Sequence, residues 1–215
     1  MRTLPLSFFD QPALELAQAL VGTVVVRRRR RLLLTARIVE AEAYARTEKA
    51  SHSSLGRTPS REPMFAPPGT IYMYWSRGGP SLNVSARGPG DAVLIKAAVA
   101  TAQGAAREVM HALNPRRDGE RRPEHKLLAG QSLLCRALDL QVKEWTGRPF
   151  GGDLAVADDG YRPTLVQTAR LGIPTGRDEH LPWRFVDRDH ARSATRNPLT
   201  RRGAQEGVDY VIHGP

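Results

Sequence analysis

Residues 35–44 read TARIVEAEAY, which puts two carboxylates and a phenol into what otherwise has the pattern of a buried strand. Because side chains alternate along an extended chain, one face of this strand carries every second residue. The two predicted faces are Ile38, Glu40, Glu42 and Tyr44 on one side and Val39, Ala41 and Ala43 on the other. The pattern fits an edge strand with one hydrated face. It also fits the wall of a site in which a carboxylate activates water beside an aromatic ring that holds a flat ligand.

Other side chains that could serve such a site follow in the next segments. Tyr72 and Tyr74 alternate in the strand-like stretch TIYMYW, and His52 falls in the loop before it. Paired tyrosines commonly pack on a sheet, but with Tyr44 and His52 they could instead form flat walls around a base that has left the nucleic-acid stack. Nucleophilic chemistry has little support, because Cys135 lies in an apolar helical pattern and no G-x-S-x-G motif is present.

The composition favours an anionic partner. The chain carries a net charge of +10 and 28 arginines against four lysines. Basic domains commonly bind nucleic acid, although a GC-rich genome produces the same arginine bias. A single cysteine and scattered histidines exclude a disulfide framework and give no metal-ligand spacing, so no metal and no cofactor are expected. Without a membrane-length apolar run or a signal peptide, a cytoplasmic location is the simplest expectation.

Turn residues and apolar spacing predict one mixed α/β domain with a mostly antiparallel sheet flanked by helices. Residues 45–69 are rich in turn-forming residues and show no period, so they are expected to form a long loop, and such loops are often functional. The domain is expected to span residues 1–194, followed by a polar, arginine-rich and poorly ordered tail over 195–215. The predicted helices cover residues 10–22, 97–113 and 127–138, and the predicted strands cover 23–28, 32–44, 70–75, 82–86 and 91–97.

Five blocks occur in a fixed order between residue 4 and about residue 100: FFDQPALELAQALVGTVVVRR, RIVEAEAY, HSSLGRTP, MFAPPGTIYMY and LNVS. Together they resemble the alkyladenine DNA glycosylase family (3-methyladenine DNA glycosylase, methylpurine type). Later segments, GQSLLCRAL, ARLGI and LPWRF, are similar to the family more weakly, and nothing after residue 195 matches. The resemblance implies a curved sheet in a monomeric, cofactor-free protein that binds double-stranded DNA containing damaged purines.

The resemblance also implies a reaction. A monofunctional glycosylase of base-excision repair flips out an alkylated purine and hydrolyses its N-glycosidic bond, and the activity is expected to extend to deaminated purines. Glu42 corresponds to the family's general base, which deprotonates the water that attacks C1′, and Glu40 would have a structural role. A nearby carboxylate suits a transition state that resembles an oxocarbenium ion.

The resemblance assigns the walls of the base pocket residue by residue. Tyr44 and His52 match residues that stack on one side of the base, and Tyr74 matches the residue on the other side. Asn83 matches the asparagine that crowds out the 2-amino group of guanine. Lys96 stands where the family has an arginine that contacts the catalytic water and the DNA backbone; lysine keeps the charge but loses the planar fork.

The chain departs from the family at several DNA-contacting positions. The hairpin segment YWSRGGPSLN is one residue shorter than in the family, and the position of the intercalating tyrosine falls on Arg77, with Trp75 nearby. We expect Arg77 to fill the gap left by the flipped nucleotide, since arginine stacks on bases and reaches phosphate. The family's TPRN reads TPSR here, ending in Arg61, and a DNA-contacting lysine is replaced by Leu133. The arginine runs at 27–31 and 116–122 are candidates to compensate.

Two alternatives stay open from the sequence. A DNA- or RNA-binding protein without catalytic activity could use the same scaffold, and the altered hairpin and Lys96 favour that interpretation. A glycosylase with a shifted lesion preference, or with a preference for single-stranded DNA, is the other. Retention of Glu42 together with the aromatic residues argues against a pure binder, which has no use for a water-activating carboxylate beside a base-sized pocket.

Overall fold

The computed structural model describes residues 1–76 and 78–214, and its centre is one open, mostly antiparallel sheet. The α-helices are α1 (Ala13–Leu20), α2 (Gly104–Leu113), α3 (Gln131–Ala137) and α4 (Val142–Trp145). The strands are β1 (Arg2–Thr3), β2 (Val24–Arg29), β3 (Leu32–Tyr44), β4 (Ile71–Ser76), β5 (Gly79–Ser85), β6 (Ala92–Ala100), β7 (Leu154–Asp158), β8 (Leu165–Thr168), β9 (Arg184–Asp187) and β10 (Tyr210–His213). The predicted mixed α/β architecture with an antiparallel sheet is confirmed.

Strand β3 is the strand on which the sheet branches. Along one edge it pairs with β6 over most of its length. Along the other edge its first half pairs with β2, from Leu32 to Arg37, and its second half pairs with β9, from Glu40 to Glu42. The order β1-β7-β2-β3-β6-β5-β4 forms the main sheet, and β9, β8 and β10 extend from the second half of β3. The TARIVEAEAY segment is therefore an interior strand and not an edge strand.

A bulge in β3 changes which side chains face the core. The register with β6 shifts on both sides of Glu40. Ile38 packs in the main hydrophobic cluster together with Ala41 and Ala43, so the predicted face that joined Ile38 to Glu40 and Glu42 is wrong. An extra residue on one strand interrupts the alternation and turns the following side chains over. Beyond the bulge the alternation resumes and places the two glutamates on the face away from the main core.

The helices cover the apolar face of the sheet. Helix α1 packs on β3 and β6, α3 packs on β5 and β6, and α2 packs on α3 and β3. Their buried side chains merge with those of the strands into one cluster, and removal of this apolar surface from water drives the fold. Among the described residues, no helix combines the length and apolar character that a membrane crossing requires.

Two predicted helix boundaries are wrong. The pattern over 97–113 predicts a helix, but residues up to Ala100 continue β6 and the helix begins at Gly104. The AAVA stretch suits either state, and pairing of Val99 and Ala100 with β3 selects the strand. The helix predicted over 127–138 is shorter, because Gly130 adopts a φ of 134° and α3 starts after it. The 45–69 loop contains two short 3-10 helices, His52–Leu55 and Glu62–Phe65.

The segment from residue 195, predicted to be a poorly ordered tail, makes specific contacts in the structure. Thr195 donates to Glu40 from both its backbone nitrogen and its hydroxyl. Asn197 is buried and donates to the carbonyls of Ala191 and Thr195. Strand β10 pairs with β8. Polar composition alone does not distinguish these contacts from solvation, which is why the segment looks like a tail in the sequence.

Truncation of Ile38 tests its place in the core. Ile38→Ala should lower the free energy of unfolding by about 2–5 kcal/mol, because the side chain is fully buried and its removal leaves a cavity. Leu33→Ala on the same strand is the matched control, and since Leu33 is 42% exposed its effect should stay within about 0.5 kcal/mol. Urea denaturation measures both. Equal effects of the two substitutions would contradict the placement of Ile38 in the core.

Candidate active site

Glu42 lies near the end of β3 with its carboxylate fully buried. The Nζ atom of Lys96, from the neighbouring strand β6, donates to Glu42 Oε1 at 2.7 Å. The backbone nitrogen of Leu171 donates to the same oxygen at 3.2 Å, and the Tyr44 hydroxyl donates to Oε2 at 2.8 Å. The Nε atom of Arg184 on β9 lies 3.9 Å from Oε1. Four groups from three strands and one loop therefore hold the carboxylate in a single position.

The charges around Glu42 keep it ionised. Burial on its own raises the pKa of this carboxyl, but the charges of Lys96 and Arg184 and the hydrogen bonds from Lys96 and Leu171 outweigh burial, so the pKa is lowered. Burial and the adjacent Glu42 raise the pKa of Tyr44 well above its ordinary value. At neutral pH a carboxylate and a neutral phenol thus face each other, and the phenol is the donor.

Glu40 forms a second buried ion pair next to the first. Its Oε1 accepts from Arg184 Nε at 2.7 Å, and Thr195 donates to both carboxylate oxygens. Arg184 is 1% exposed and also donates to the carbonyl of Arg196 at 2.8 Å. The structural role expected for Glu40 agrees with this arrangement: it fixes Arg184, whose charge reaches Glu42.

Sequence reasoning missed Arg184, Thr195 and Leu171. Arg184 stands in LPWRF, a segment noted only for its weak family resemblance, and Leu171 contributes through its backbone nitrogen. Thr195 falls in the segment that the sequence predicts to be a tail. No spacing rule links these residues to Glu42, because they are more than 125 positions away along the chain and come together only through the β3–β9 pairing.

The aromatic residues form a compact group on one side of the site. The rings of His52 and Tyr74 have centroids 4.4 Å apart, and those of Tyr72 and Tyr74 are stacked at 5.5 Å. His52 Nδ1 lies 3.0 Å from the Tyr72 hydroxyl oxygen. The predicted grouping placed His52 with Tyr44 and opposite Tyr74, whereas the structure places the His52 ring against Tyr74. A spacing of 4.4 Å leaves no room for a third ring between them.

Tyr44 is supported from behind by a buried ion pair. The guanidinium carbon of Arg170 lies 4.6 Å from the centroid of the Tyr44 ring. Arg170 donates to both carboxylate oxygens of Glu48, at 2.7 and 2.8 Å, and to the carbonyl of Ala43 at 2.9 Å. A planar bidentate pair of this kind fixes orientation as well as position. One face of the Tyr44 ring is thus covered by a cation, and the ring cannot rotate freely.

A cleft of about 760 Å³ lies above Glu42, within the size range of small-molecule sites. Five predicted site residues line it: Tyr44, His52, Tyr74, Asn83 and Lys96. Asn83 is buried and donates from Nδ2 to the carbonyl of Tyr72 at 3.0 Å, which leaves its Oδ1 available to the cleft. Leu133, at the position of the family's lysine, also lines the cleft. Glu42 itself lies one layer below the floor, under Tyr44 and Lys96.

The residues predicted to contact DNA, as far as the structure describes them, are not among those that line the cleft. Trp75, at the end of β4, is 69% exposed. Arg61 lies on the 45–69 loop and donates to the carbonyls of Leu55 and Gly56. Arg77, predicted to be the plug, lies outside the described residues. Gln131 on α3 donates to the Ser76 hydroxyl at 3.0 Å and thereby supports the hairpin from the side.

Candidates for other chemistries have structural roles. Cys135 is buried in the main cluster, and burial raises the pKa of its thiol. Within residues 1–76 and 78–214 no cluster of three or more His, Cys, Asp or Glu side chains could hold a metal ion. The arginine runs are partly neutralised by acids of this chain, as in the pairs Arg27–Glu144, Arg29–Asp139 and Arg121–Glu108.

Removal of Arg170 tests the support behind Tyr44. Arg170→Met should lower the free energy of unfolding by about 3–5 kcal/mol, because it leaves Glu48 charged and buried without a partner. The double variant Arg170→Met with Glu48→Met should recover much of the loss. Arg162→Met, in the exposed pair with Asp158, is the control and should change little. Chemical denaturation of the four proteins is the measurement, and a double variant no more stable than Arg170→Met would contradict the assignment.

Comparison with known proteins shows the family to which this chain belongs. A family model described as "Methylpurine-DNA glycosylase (MPG)" matches residues 7–191. A protein of Pseudomonas aeruginosa (strain LESB58) is 50% identical over 99% of this chain and 91% of its own length. A protein of Pseudomonas savastanoi pv. phaseolicola is 52% identical over 97% of this chain and 96% of its own length. A protein of Methanocella arvoryzae is 34% identical over 92% of this chain and 98% of its own length. All three are named "Putative 3-methyladenine DNA glycosylase". The chain belongs to the methylpurine-DNA glycosylase family.

Proposed function

We propose that this chain excises alkylated purines from double-stranded DNA by hydrolysis of the N-glycosidic bond, with Glu42 as the residue that activates water. The observation that carries the proposal is a buried carboxylate with a lowered pKa directly below an aromatic cleft, in a chain of the methylpurine-DNA glycosylase family. The alkylated base leaves readily because it is cationic. The protein therefore has to supply a positioned nucleophile and a negative charge near C1′.

The hydrogen bonds of Glu42 indicate where the water binds. Oε1 accepts from Lys96 and Leu171, while Oε2 accepts only from the Tyr44 hydroxyl among the described residues. A carboxylate oxygen has two lone pairs, so Oε2 retains one for a water that enters the floor between Tyr44 and Lys96. The water would transfer a proton to Oε2 while its oxygen forms a bond to C1′ and the C1′–N bond breaks. The two nearby cations weaken Glu42 as a base but ensure that it is ionised.

The arrangement of the rings supports a specific position for the flipped base. Since His52 and Tyr74 are in contact, the base would stack between Tyr44 on one side and the His52–Tyr74 pair on the other. Asn83, tethered to Tyr72, would meet the 2-amino position and disfavour guanine. In this proposal Trp75, Arg61 and Arg77 belong to the DNA-binding surface, and Arg77 fills the gap left by the extruded nucleotide.

The proposal extends to the type of product and to neutral lesions. Lys96 is the lysine that lines the cleft, and its Nζ is engaged with Glu42, so Schiff-base chemistry and strand cleavage are not expected. Burial, with the charges of Arg61 and Arg177, lowers the pKa of His52, so little of the protonated imidazolium is present at neutral pH to donate a proton. We therefore expect deaminated purines, which are neutral and need protonation to leave, to be excised more slowly than cationic alkylated purines.

Single-turnover excision tests the proposal. Wild type should release 3-methyladenine from a duplex and leave an alkali-labile abasic site without strand cleavage. Glu42→Gln should be slower by about 10²–10⁴, the usual contribution of a general base. Glu62→Gln, an exposed glutamate of the 45–69 loop, is the control and should retain the wild-type rate.

Duplex affinity is measured in parallel for all three proteins to verify that they fold and bind. If wild type binds the duplex but releases no base from 3-methyladenine, ethenoadenine or hypoxanthine substrates, the protein is a DNA-binding protein without glycosylase activity. If Glu42→Gln excises as fast as wild type, another group activates the water.

The pH dependence of excision tests the role of Lys96. In wild type the pKa of Glu42 is lowered, so the acid limb of the rate profile should lie below the ordinary range of a glutamate. Lys96→Gln removes a cation that lowers this pKa, so burial raises the pKa of Glu42 in the variant. On acidification, excision by the variant should therefore begin to fall at a higher pH than excision by wild type. Lys96→Arg keeps the charge and should keep the acid limb in place. A cationic lesion is used so that the base itself does not titrate, and superimposable profiles for the two variants would contradict this role.

A further inference from the structure

A second cavity lies outside the cleft, on the segment that follows β9. It has a volume of about 600 Å³ and is lined by Arg188, Arg192, Arg201 and Arg202, with Asp189 and Thr200 among its other residues. We call it the arginine hollow. All four arginines are exposed. No sequence motif accounts for it, and the family model ends at residue 191, before most of the hollow.

The arginine hollow has few internal counterions. Arg201 pairs with Asp209, but in the part of the chain that the structure describes no carboxylate lies within 4.0 Å of the guanidinium groups of Arg188, Arg192 or Arg202. The run at 27–31 is more fully paired, since Arg27, Arg28 and Arg29 each pair with an acid, while Arg30 and Arg31 have no carboxylate partner among the described residues. Three arginines without a carboxylate partner outnumber the one carboxylate in the lining, Asp189, and such an excess creates a positive potential that attracts an anion.

The walls of the hollow are held in place from inside the protein. Asn197 is 3% exposed, donates from Nδ2 to the carbonyls of Ala191 and Thr195, and accepts from the backbone nitrogen of Leu199. Lys126 donates to the carbonyl of Arg192 at 3.2 Å. One buried amide thus connects the 191–192 wall to the 198–200 wall. The backbone of the two walls is therefore fixed, and only the exposed arginine side chains have to be ordered by a ligand.

The lining selects the class of ligand. Guanidinium groups bind phosphate oxygens with two parallel N–H donors. No aromatic side chain lines the hollow among the described residues, and its apolar residues are Ala191 and Leu199, so there is no surface on which a base could stack. A phosphate group fits this lining, whereas the base of a free nucleotide would find no side chain to stack on.

The chain itself limits the distance between the hollow and the cleft. Thr195 lines the cleft, Arg192 lies three residues before it and Leu199 four residues after it. An extended residue spans at most about 3.6 Å, so both walls of the hollow begin within about 14 Å of Thr195. Successive phosphates on a DNA strand advance by about 3.4 Å along the axis. A phosphate about three to four nucleotides from the flipped base is therefore within reach.

We propose that the arginine hollow binds a backbone phosphate of the duplex a few nucleotides from the lesion, an interaction that rests on the proposed function of the cleft as the lesion site. This interaction supplies affinity and orientation and carries no sequence information. It replaces some of the phosphate binding that the departures at Leu133 and in TPSR remove. The coupling to catalysis is direct, since Thr195 belongs to the same segment and holds Glu40.

Salt dependence of duplex binding tests the proposal. The double variant Arg188→Gln with Arg192→Gln is compared with Arg87→Gln with Arg162→Gln, whose arginines are exposed and pair with acids elsewhere. Both double variants remove two positive charges, so a general effect of net charge is the same in each. The hollow variant should reduce the slope of log affinity against log salt by about 0.9 for each phosphate that it no longer binds, and the control should keep the wild-type slope.

Duplex length provides the second arm. Two shortened duplexes are used, each trimmed to about two base pairs on one side of the lesion. One of the two should bind wild type more weakly than the full duplex does, and that same duplex should bind the hollow variant as well as the full duplex does. Arg202→Gln alone serves as a second variant. Equal slopes for the hollow and control variants, or equal sensitivity to trimming, would overturn the proposal. Binding is measured without turnover, so this result is independent of whether the wild type excises a base.

Discussion

Two buried carboxylates, held next to each other by two buried cations, are the constraint on which the site depends. Glu42 lies between Lys96 and Arg184, and Arg184 is fixed in turn by Glu40. Removing any one of these charges leaves another buried without compensation, which costs several kcal/mol. In the proposed reaction this cost would serve catalysis, since a carboxylate that stays ionised away from bulk water would interact strongly with a developing positive charge at C1′.

The bulge in β3 explains how such a group can be built into the middle of a sheet. Without it, Glu40 and Glu42 would share the apolar face that Ile38 occupies. With it, the strand changes partner from β2 to β9 at the same place, and β9 brings Arg184 opposite Glu42. One irregularity therefore turns the glutamates out of the core and supplies the cation that neutralises them.

The two sides of the cleft differ in how they are held. The Tyr44 side is fixed by Arg170 and Glu48, which are buried and joined by two hydrogen bonds. The opposite side carries His52 from the long 45–69 loop, packed against Tyr74 on a strand. In the proposed function, a rigid wall next to Glu42 and a loop-borne wall across from it would let a base enter without disturbing the carboxylate. The same logic applies to the C-terminal segment, where Asn197 fixes the positions of Thr195 on one side and of the arginine hollow on the other.

The sequence by itself determined the residue types and the local elements. The E-x-E-A-Y pattern, the alternation of Tyr72 and Tyr74 and the turn-rich loop made the two glutamates, Tyr44, His52 and Tyr74 candidates. The family resemblance then selected Glu42 over Glu40, and strand β3 has the predicted bounds. These features are local, with periods of two to four residues. Tertiary structure decided the rest: that Ile38 and Glu40 face opposite ways, that His52 lies on Tyr74, and that Arg184 and Thr195 complete the site. Those outcomes depend on contacts between segments that lie far apart along the chain, such as the pairing of Glu42 with Arg184, and on burial of charge, neither of which leaves a periodic signal in the chain.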